Sequence, residues 1–212
     1  MTRTRIKFCG ITSIGDAAMA IEAGADAIGL ILVPGSPRAL TIQQAAAIAV
    51  SVPPFVTRVA LFRDALASEV RAALALVAID VLQFHGDESA EYCAQFGRSW
   101  IKAVPMGALA DSAAVNVFLD RFTAASGFVF DSHGGQRSGG SGQGFDWSRV
   151  PAHCPRPVIL AGGLKPENVA EAVRRVRPWA VDVSSGIESA PGSKDRAKMR
   201  VFISEVHRAG TD

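Results

Sequence analysis

The sequence has little of what secreted or membrane-spanning proteins need. Its three cysteines, Cys9, Cys93 and Cys154, are odd in number and widely spaced, which argues against a disulfide framework and against a zinc site. No run of about 18 apolar residues could form a transmembrane helix, and no apolar segment follows the basic first residues as it would in a signal peptide. We therefore expect a protein of the reducing cytoplasm, with no membrane as a partner.

The sequence also has no excess of either charge. It contains 22 Lys and Arg against 20 Asp and Glu, which leaves a net charge of +2. This value is too small to indicate a nucleic-acid partner. What the sequence does have is 49% hydrophobic residues over 212 positions, enough for a globular protein with a large core. The pattern favours no oligomeric state.

Short β-rich segments alternate with Ala-rich helical patterns along the chain. Alternation of this kind indicates parallel strands joined by crossover helices, and eight such units fit a closed (β/α)8 barrel of the α/β class. A doubly wound open sheet is the alternative. No linker divides residues 1–212, so we expect one domain. The predicted strands are 4–8, 27–32, 57–62, 79–84, 100–104, 127–131, 157–161 and 179–183. The predicted helices are 13–23, 41–50, 66–77, 88–96, 111–122, 146–150, 166–176 and 193–208.

Four residues support the predicted helix boundaries. Ser13 and Thr41 are typical of helix N-caps, and Gly24 suits a left-handed C-cap. Pro166 suits the first turn of the seventh helix, where its missing N–H costs nothing.

Polar side chains collect where the predicted strands end. Cys9 closes the first strand and Asp131 closes the sixth, and Lys7 shares the face of Cys9 because side chains alternate along a strand. His85 follows the fourth strand, and Asp182 lies in the eighth. Because a barrel's active site lies at the carboxyl ends of its strands, these residues are candidates for one site. A thiolate and a carboxylic acid there could move protons on a small molecule.

Two glycine-bearing loops predict a phosphate site. Glycines let the backbone approach a ligand closely, and the loops after strands seven and eight are where such barrels usually bind phosphate. A Gly-Gly pair alone is more typical of a tight turn, so the prediction depends on both loops together. A further segment, 139–142, could add a third wall. The predicted phosphate-binding residues are Gly142, Gly162, Gly163, Ser184, Ser185 and Gly186.

Two loops leave two interpretations open. Arg38, after the second strand, could pair with a substrate carboxylate through its planar guanidinium, or it could be a solvated loop arginine. The segment 133–144, rich in Gly and Ser, could be a mobile active-site loop or a plain flexible connection. We place His133 in this loop and give His85 a binding role in the wall of the site.

Six segments of the chain closely resemble the phosphoribosylanthranilate isomerase family. The first and last are highly specific, and departures such as Leu32, Ala60 and Phe84 touch neither Cys9 nor Asp131. The matching segments are 7–12, 36–38, 83–86, 139–142 with 145–147, 160–164 and 181–188.

The resemblance implies a (β/α)8 TIM barrel that performs an Amadori rearrangement in tryptophan biosynthesis. N-(5-phosphoribosyl)anthranilate would become 1-(2-carboxyphenylamino)-1-deoxyribulose 5-phosphate, with Cys9 as general base and Asp131 as general acid. Arg38 would lie near the anthranilate carboxylate, His85 and Asp182 beside the substrate, and the two glycine-bearing loops on the phosphate. The reaction needs no redox chemistry or charge sink, so neither a cofactor nor a metal is expected.

These roles set requirements on protonation. A protonated Asp131 requires a raised pKa, most easily through partial burial, and a thiolate at Cys9 requires a positive neighbour. Lys7 could be that neighbour, or it could pair with Asp182 instead.

Three other functions compete with this one. Imidazole-intermediate isomerases run the same rearrangement with a carboxylate where Cys9 stands. Indole-glycerol-phosphate synthase shares the phosphate loops but uses a Lys acid and a longer N-terminus. A non-catalytic phosphosugar-binding barrel would need neither Cys9 nor Asp131.

Overall fold

Eight parallel strands close into a barrel, in the same order in space as along the chain. The computed structural model describes residues 3–134 and 144–210. The first strand pairs with both the second and the eighth, with Lys7 opposite Asp182 at the closing seam. The predicted (β/α)8 TIM barrel is therefore confirmed and the open sheet is wrong. The barrel strands are β1 Arg5–Cys9, β2 Ala27–Ile31, β3 Thr57–Phe62, β4 Val81–Phe84, β5 Ser99–Pro105, β6 Gly127–Asp131, β7 Val158–Leu160 and β8 Ala180–Val183.

Helices follow most of the strands and surround the barrel. They are α1 Ile14–Ala23, α2 Ile42–Val50, α3 Ala67–Leu76, α4 Ala90–Ala94, α5 Ser112–Asp120, α6 Val169–Val176 and α7 Arg196–Ala209. Ser13 caps α1 by accepting from the Asp16 N–H, Thr41 forms a capping box at α2, and Gly24 ends α1 at a φ of 104°. These three predicted boundaries are confirmed. Within residues 3–134 and 144–210, no helix combines the length and the apolar character needed to span a bilayer.

Two predicted helices differ in the structure. The segment 146–150 forms only a 3₁₀ turn, Trp147–Arg149, because Pro151 disfavours helical backbone at Val150, which is extended with ψ 124°. Pro166 lies in a turn before α6 rather than in its first turn, since the Lys165 carbonyl accepts from the N–H groups of residues 168 and 169.

The predicted last helix begins too early. Residues 193–194 form a strand, β10 Ser193–Lys194, which pairs antiparallel with β9 Glu188–Ala190. This small hairpin follows a 3₁₀ turn, Ser185–Ile187, at the exit of β8. It lies on the side of the barrel where the predicted site residues collect.

Alternation along each strand places core residues on one face and candidate site residues on the other. In β1, Ile6 and Phe8 are fully buried in the main apolar core. Lys7 and Cys9 point to the opposite side, as the period of two requires. A smaller apolar cluster closes the barrel interior below the polar residues. Its buried members are Val59, Ile101, Ala103, Val129 and Ala161.

Candidate active site

A cavity of about 530 Å³ opens at the carboxyl ends of the strands. Most of the predicted site residues line it, and their positions at strand ends explain why they meet although they are far apart in sequence. Lys7 and Gly186 do not line the cavity, and Gly142 lies outside the described residues. The predicted residues in its wall are Cys9, Arg38, His85, Asp131, Gly162, Gly163, Asp182, Ser184 and Ser185.

The Cys9 side of the cavity is buried and contains one ion pair. Lys7 Nζ donates to Asp182 Oδ2 over 2.9 Å, and both side chains are almost fully buried. Gly29 makes this packing possible, because a Cβ there would lie 2.7 Å from Cys9 Sγ and 3.1 Å from Lys7 Nζ. Of the two roles left open for Lys7, the structure shows the pairing with Asp182, and the ammonium also interacts with the thiol.

Burial decides the titration of this side. It raises the pKa of the Cys9 thiol, and the charge of Lys7 offsets only part of that effect. Although burial opposes the charge of Lys7, Asp182 and the neighbouring thiol raise its pKa to about 12. Lys7 therefore does not bring the pKa of Cys9 below its ordinary value in the protein on its own, because desolvation outweighs one ammonium that Asp182 already neutralises.

The Asp131 side presents two imidazoles to one carboxylate. His85 Nε2 lies 3.1 Å and His133 Nδ1 lies 3.6 Å from Asp131 Oδ2, and the two rings pack with centroids 4.0 Å apart. Burial by itself would raise the pKa of Asp131, but the two histidines hold it well below its ordinary range. The expected raised pKa is therefore wrong for the protein on its own, since partial burial is outweighed by these partners.

His133 begins the segment 133–144, and its sequence context predicts no role in the site. It is 9% exposed and packs on His85, while residues 135–143 of that segment lie outside the described residues. Burial lowers its pKa, against the opposing effect of Asp131. Only its place two residues beyond Asp131 hinted at the site, because a side chain at that spacing lies on the same face of an extended segment.

The two glycine-bearing loops pack directly against each other. A Cβ at Gly186 would lie 2.0 Å from the Leu164 carbonyl oxygen, so only glycine lets the loops after β7 and β8 come this close. Gly162 has a φ of 76° and its missing Cβ leaves room for Ser132 and Asp131. Within residues 3–134 and 144–210, the buried Ser184 Oγ has no hydrogen-bond partner, which leaves it available to a ligand.

Arg38 is clamped by a glutamate. Its Nε and Nη2 donate to the two carboxylate oxygens of Glu188, each over 2.7 Å. Lys194 Nζ donates to Glu188 Oε1 over 2.8 Å and to the Ser184 carbonyl over 3.0 Å. Arg38 is 7% exposed, so the solvated loop arginine is wrong, while a pairing with a substrate carboxylate remains a prediction.

Glu188 and Lys194 were missed in the sequence. Glu188 ends the matching segment 181–188 and could have been singled out there. Lys194 gave no signal, because only the β9–β10 hairpin places it opposite Glu188. Together with Arg38 they form a buried network that fixes the guanidinium at the edge of the cavity.

An apolar wall completes the cavity beside the thiol. Ile31, Leu61 and Val33 pack together with Cys9, and all four line the cavity. Apolar side chains in the wall of a cavity that Arg38 also lines suit a ligand that has an apolar group and a carboxylate.

Comparison with known proteins decides the family. A family model described as N-(5'-phosphoribosyl)anthranilate (PRA) isomerase matches residues 6–205. The chain belongs to this family. Among curated members, the N-(5'-phosphoribosyl)anthranilate isomerase of Alcanivorax borkumensis is 49% identical, over 99% of this chain and 98% of the relative. That of Pseudomonas fluorescens is 50% identical, over 97% of this chain and 100% of the relative.

Solved structures of the family share the fold. The phosphoribosyl anthranilate isomerase of Thermotoga maritima is 37% identical with a TM-score of 0.86, over 96% of this chain and 98% of that one. A second family structure, in complex with reduced 1-(o-carboxyphenylamino)-1-deoxyribulose 5-phosphate, is 34% identical with a TM-score of 0.83, over the same shares of the two chains.

Proposed function

We propose that the chain, acting as one domain in the cytoplasm, catalyses the Amadori rearrangement of N-(5'-phosphoribosyl)anthranilate in tryptophan biosynthesis. The product would be 1-(2-carboxyphenylamino)-1-deoxyribulose 5-phosphate, with Asp131 as the general acid and Cys9 as the general base. One observation carries the proposal: the thiol from β1 and the carboxyl from β6 line a single cavity that also contains both glycine-bearing loops.

The reaction needs one proton given and one proton taken. Asp131 would protonate the furanose ring oxygen, so that the ring opens and the nitrogen lone pair forms an iminium. The iminium acidifies the proton at C2, which Cys9 would remove to give an enolamine and then the ketose. Each proton transfer by a positioned side chain contributes about 10²–10⁴-fold to the rate.

The phosphate and the carboxylate of the substrate would each contact residues around Cys9 and Asp131. Backbone and side chains of Gly162, Gly163, Ser184 and Ser185 would bind the phosphate, with Gly186 shaping their loop. Arg38 would face the anthranilate carboxylate, and the apolar wall would pack on its ring. His85 and Asp182 would lie beside the sugar, and Lys7 would hold Asp182 in place.

The proposed reaction requires one proton to move from Cys9 to Asp131 before the substrate reacts. In the protein on its own the shifts of pKa favour a neutral thiol and an ionised carboxylate. The reacting form has the same number of protons, with the proton on Asp131 instead of Cys9. The substrate would therefore react with a minor tautomer of the enzyme, and the pair as a whole neither gains nor loses a proton when this tautomer forms.

A direct assay tests the function. Freshly formed phosphoribosylanthranilate is fluorescent, and its enzyme-dependent loss of fluorescence should follow saturation kinetics with the purified chain. The imidazole-intermediate substrate of the sibling isomerases, assayed in parallel, should turn over far more slowly. Binding of the reduced product analogue without any turnover would instead support the non-catalytic phosphosugar-binding barrel.

A further inference from the structure

Three metal-ligating side chains converge beside the cavity. His85 Nε2 and His133 Nδ1 lie 3.1 Å and 3.6 Å from Asp131 Oδ2. The donor atoms of all three residues lie within 4.8 Å of one another. His85 comes from the exit of β4, and the other two come from the exit of β6.

The two distances from the histidines to Asp131 fit a small metal's coordination sphere. Tetrahedral Zn²⁺ with bonds of about 2.0–2.1 Å keeps neighbouring ligand atoms roughly 3.3 Å apart, which falls between the two observed distances. Two imidazoles and one carboxylate also form the donor set of open zinc sites, in which a fourth position stays free. Imidazole nitrogens favour Zn²⁺ or Cu²⁺ over Mg²⁺ and Ca²⁺.

The two imidazole nitrogens meet the Asp131 carboxylate without a well-aligned hydrogen bond. Both His85 Nε2 and His133 Nδ1 are buried, and in the described parts of the chain each lies against Asp131 Oδ2. Buried polar atoms without a well-aligned hydrogen bond are uncommon. Their direction toward one carboxylate oxygen is what a bound cation would satisfy.

Gln83 provides the orientation that a ligating histidine needs. Its amide nitrogen lies 3.3 Å from His85 Nδ1, while its amide oxygen is buried without a partner. Turning the amide over would let that oxygen accept the N–H of Nδ1, since amide O and N positions are interchangeable by rotation. With a cation bound, the proton of His85 would lie on Nδ1 and the lone pair of Nε2 would point to the ion, as in metal sites whose histidines are held by a neighbouring acceptor.

We propose that His85, Asp131 and His133 bind Zn²⁺ from the cavity side and that the bound ion blocks catalysis. His85 and Asp131 line the cavity, so the ion reaches them from the substrate's side. An ion on the Asp131 carboxylate would compete with the catalytic proton for this group, and it would exclude the sugar. The inhibition, unlike the binding, rests on the proposed function.

Metal binding is measured first, without any substrate. Chelator-treated protein is titrated with Zn²⁺ in a calorimeter and with Co²⁺ in a spectrophotometer. We expect one site per chain and the strong visible bands of four-coordinate Co²⁺. His133→Asn should weaken Zn²⁺ binding at least ~10-fold. Removing a group that only orients a metal ligand already costs about 10-fold in metal affinity, and loss of a ligand should cost no less.

Matched variants separate this site from other ligands. His153→Asn changes an exposed histidine and should bind Zn²⁺ like the wild type. Cys9→Ser should also retain the affinity, which excludes the cavity thiol as the main ligand. Thermal unfolding of His133→Asn shows whether the variant is folded, and His85→Asn provides an independent loss of one ligand. Equal affinity in the wild type and in both folded site variants, or no binding by the wild type, overturns the site.

Inhibition is then measured with the isomerase assay. Zn²⁺ should raise the apparent KM without changing kcat, and a chelator should reverse the effect. Binding that depends on His133 but leaves turnover unchanged would overturn the inhibitory role. A wild-type protein that binds Zn²⁺ but never turns over phosphoribosylanthranilate would contradict the proposed function, while the calorimetric result would still support the metal site.

Discussion

The two sides of the cavity bury similar groups and titrate them in opposite directions. On the side of β1 and β8, Cys9 lies next to an ammonium that Asp182 already neutralises, and burial raises the pKa of the thiol. On the side of β4 and β6, Asp131 is equally buried but faces two imidazoles, which lower the pKa of the carboxyl. Burial therefore prevails at Cys9, while at Asp131 the two imidazoles outweigh it.

What differs is whether the neighbouring groups already have another partner. The positive charge of Lys7 is shared between Asp182 and Cys9, so little of it offsets the desolvation of the thiol. The imidazoles meet no other carboxylate in the described parts of the chain, and their effect goes to Asp131. In the protein on its own these shifts of pKa favour a neutral Cys9 thiol and an ionised Asp131 carboxylate, and the proposed reaction requires the reverse arrangement.

Removing either group should have the largest effect. Cys9→Ser and Asp131→Asn should each lower kcat by about 10²–10⁴-fold, because each removes one of the two proton transfers while nearly keeping the side-chain size. The measurement is the fluorescence assay, together with binding of the reduced product analogue, which both variants should retain. Cys154→Ser, which changes a half-buried thiol outside the cavity, is the control. Near-normal turnover of either site variant would move the acid or the base to another residue.

Breaking the ion pair on the Cys9 side should destabilise the barrel. Lys7→Met leaves Asp182 buried without its partner, which typically costs about 3–5 kcal/mol. Urea unfolding measures the loss, and Lys7→Met combined with Asp182→Asn should recover part of it.

An exposed pair provides the comparison for that experiment. Arg196 contacts Glu22 with both side chains about half exposed, and Arg196→Met should change the unfolding free energy by less than about 1 kcal/mol. If Lys7→Met changed the unfolding free energy by as little as Arg196→Met, the buried pair would not stabilise the barrel as predicted.

Arg38 should distinguish the two charged ends of the substrate. Arg38→Ala should weaken binding of anthranilate-bearing ligands by about 10–150-fold, the equivalent of 1.5–3 kcal/mol for a hydrogen bond to a charged group. Binding of a simple phosphate should be spared, because the proposed phosphate site lies in the glycine-bearing loops and not at Arg38. Calorimetry with both ligands is the measurement, and equal losses for both would reject the carboxylate role.

The pH profile should show the smallest change, and its flatness is the test. Below the lowered pKa of Asp131 both groups are protonated, and above the raised pKa of Cys9 both are ionised, so activity falls at each extreme. Between these limits the pair holds one proton, and the fraction on Asp131 does not vary with pH. We expect kcat/KM to change less than about twofold from roughly pH 6 to pH 8, within the interval between the ordinary pKa values of Asp and Cys. A steep rise of kcat/KM through this range would contradict the proposal, because it would mean that the reacting form has a different number of protons on Cys9 and Asp131.

Local patterns were enough to predict most of the barrel. The alternation of segments gave all eight strands to within two residues, and Ser13, Thr41 and Gly24 marked helix ends through interactions within a few residues of each position. Two of the wrong helix predictions also have local causes. The 3₁₀ turn at Trp147–Arg149 and the late start of α6 result from Pro151 and from the turn around Pro166, where backbone restrictions outweigh a helical pattern.

The sequence by itself determined which side chains stand at the strand ends, because the period of two places Lys7 with Cys9 wherever β1 forms. Tertiary structure alone decided their partners and charges. Lys7 meets Asp182 across 175 residues, and Arg38 meets Glu188 across 150. His133 reaches the site because it follows the end of β6. Lys194 reaches it through the β9–β10 hairpin, which no local pattern indicated. Electrostatic energy depends on distance and burial in space, and the closing of the barrel sets both.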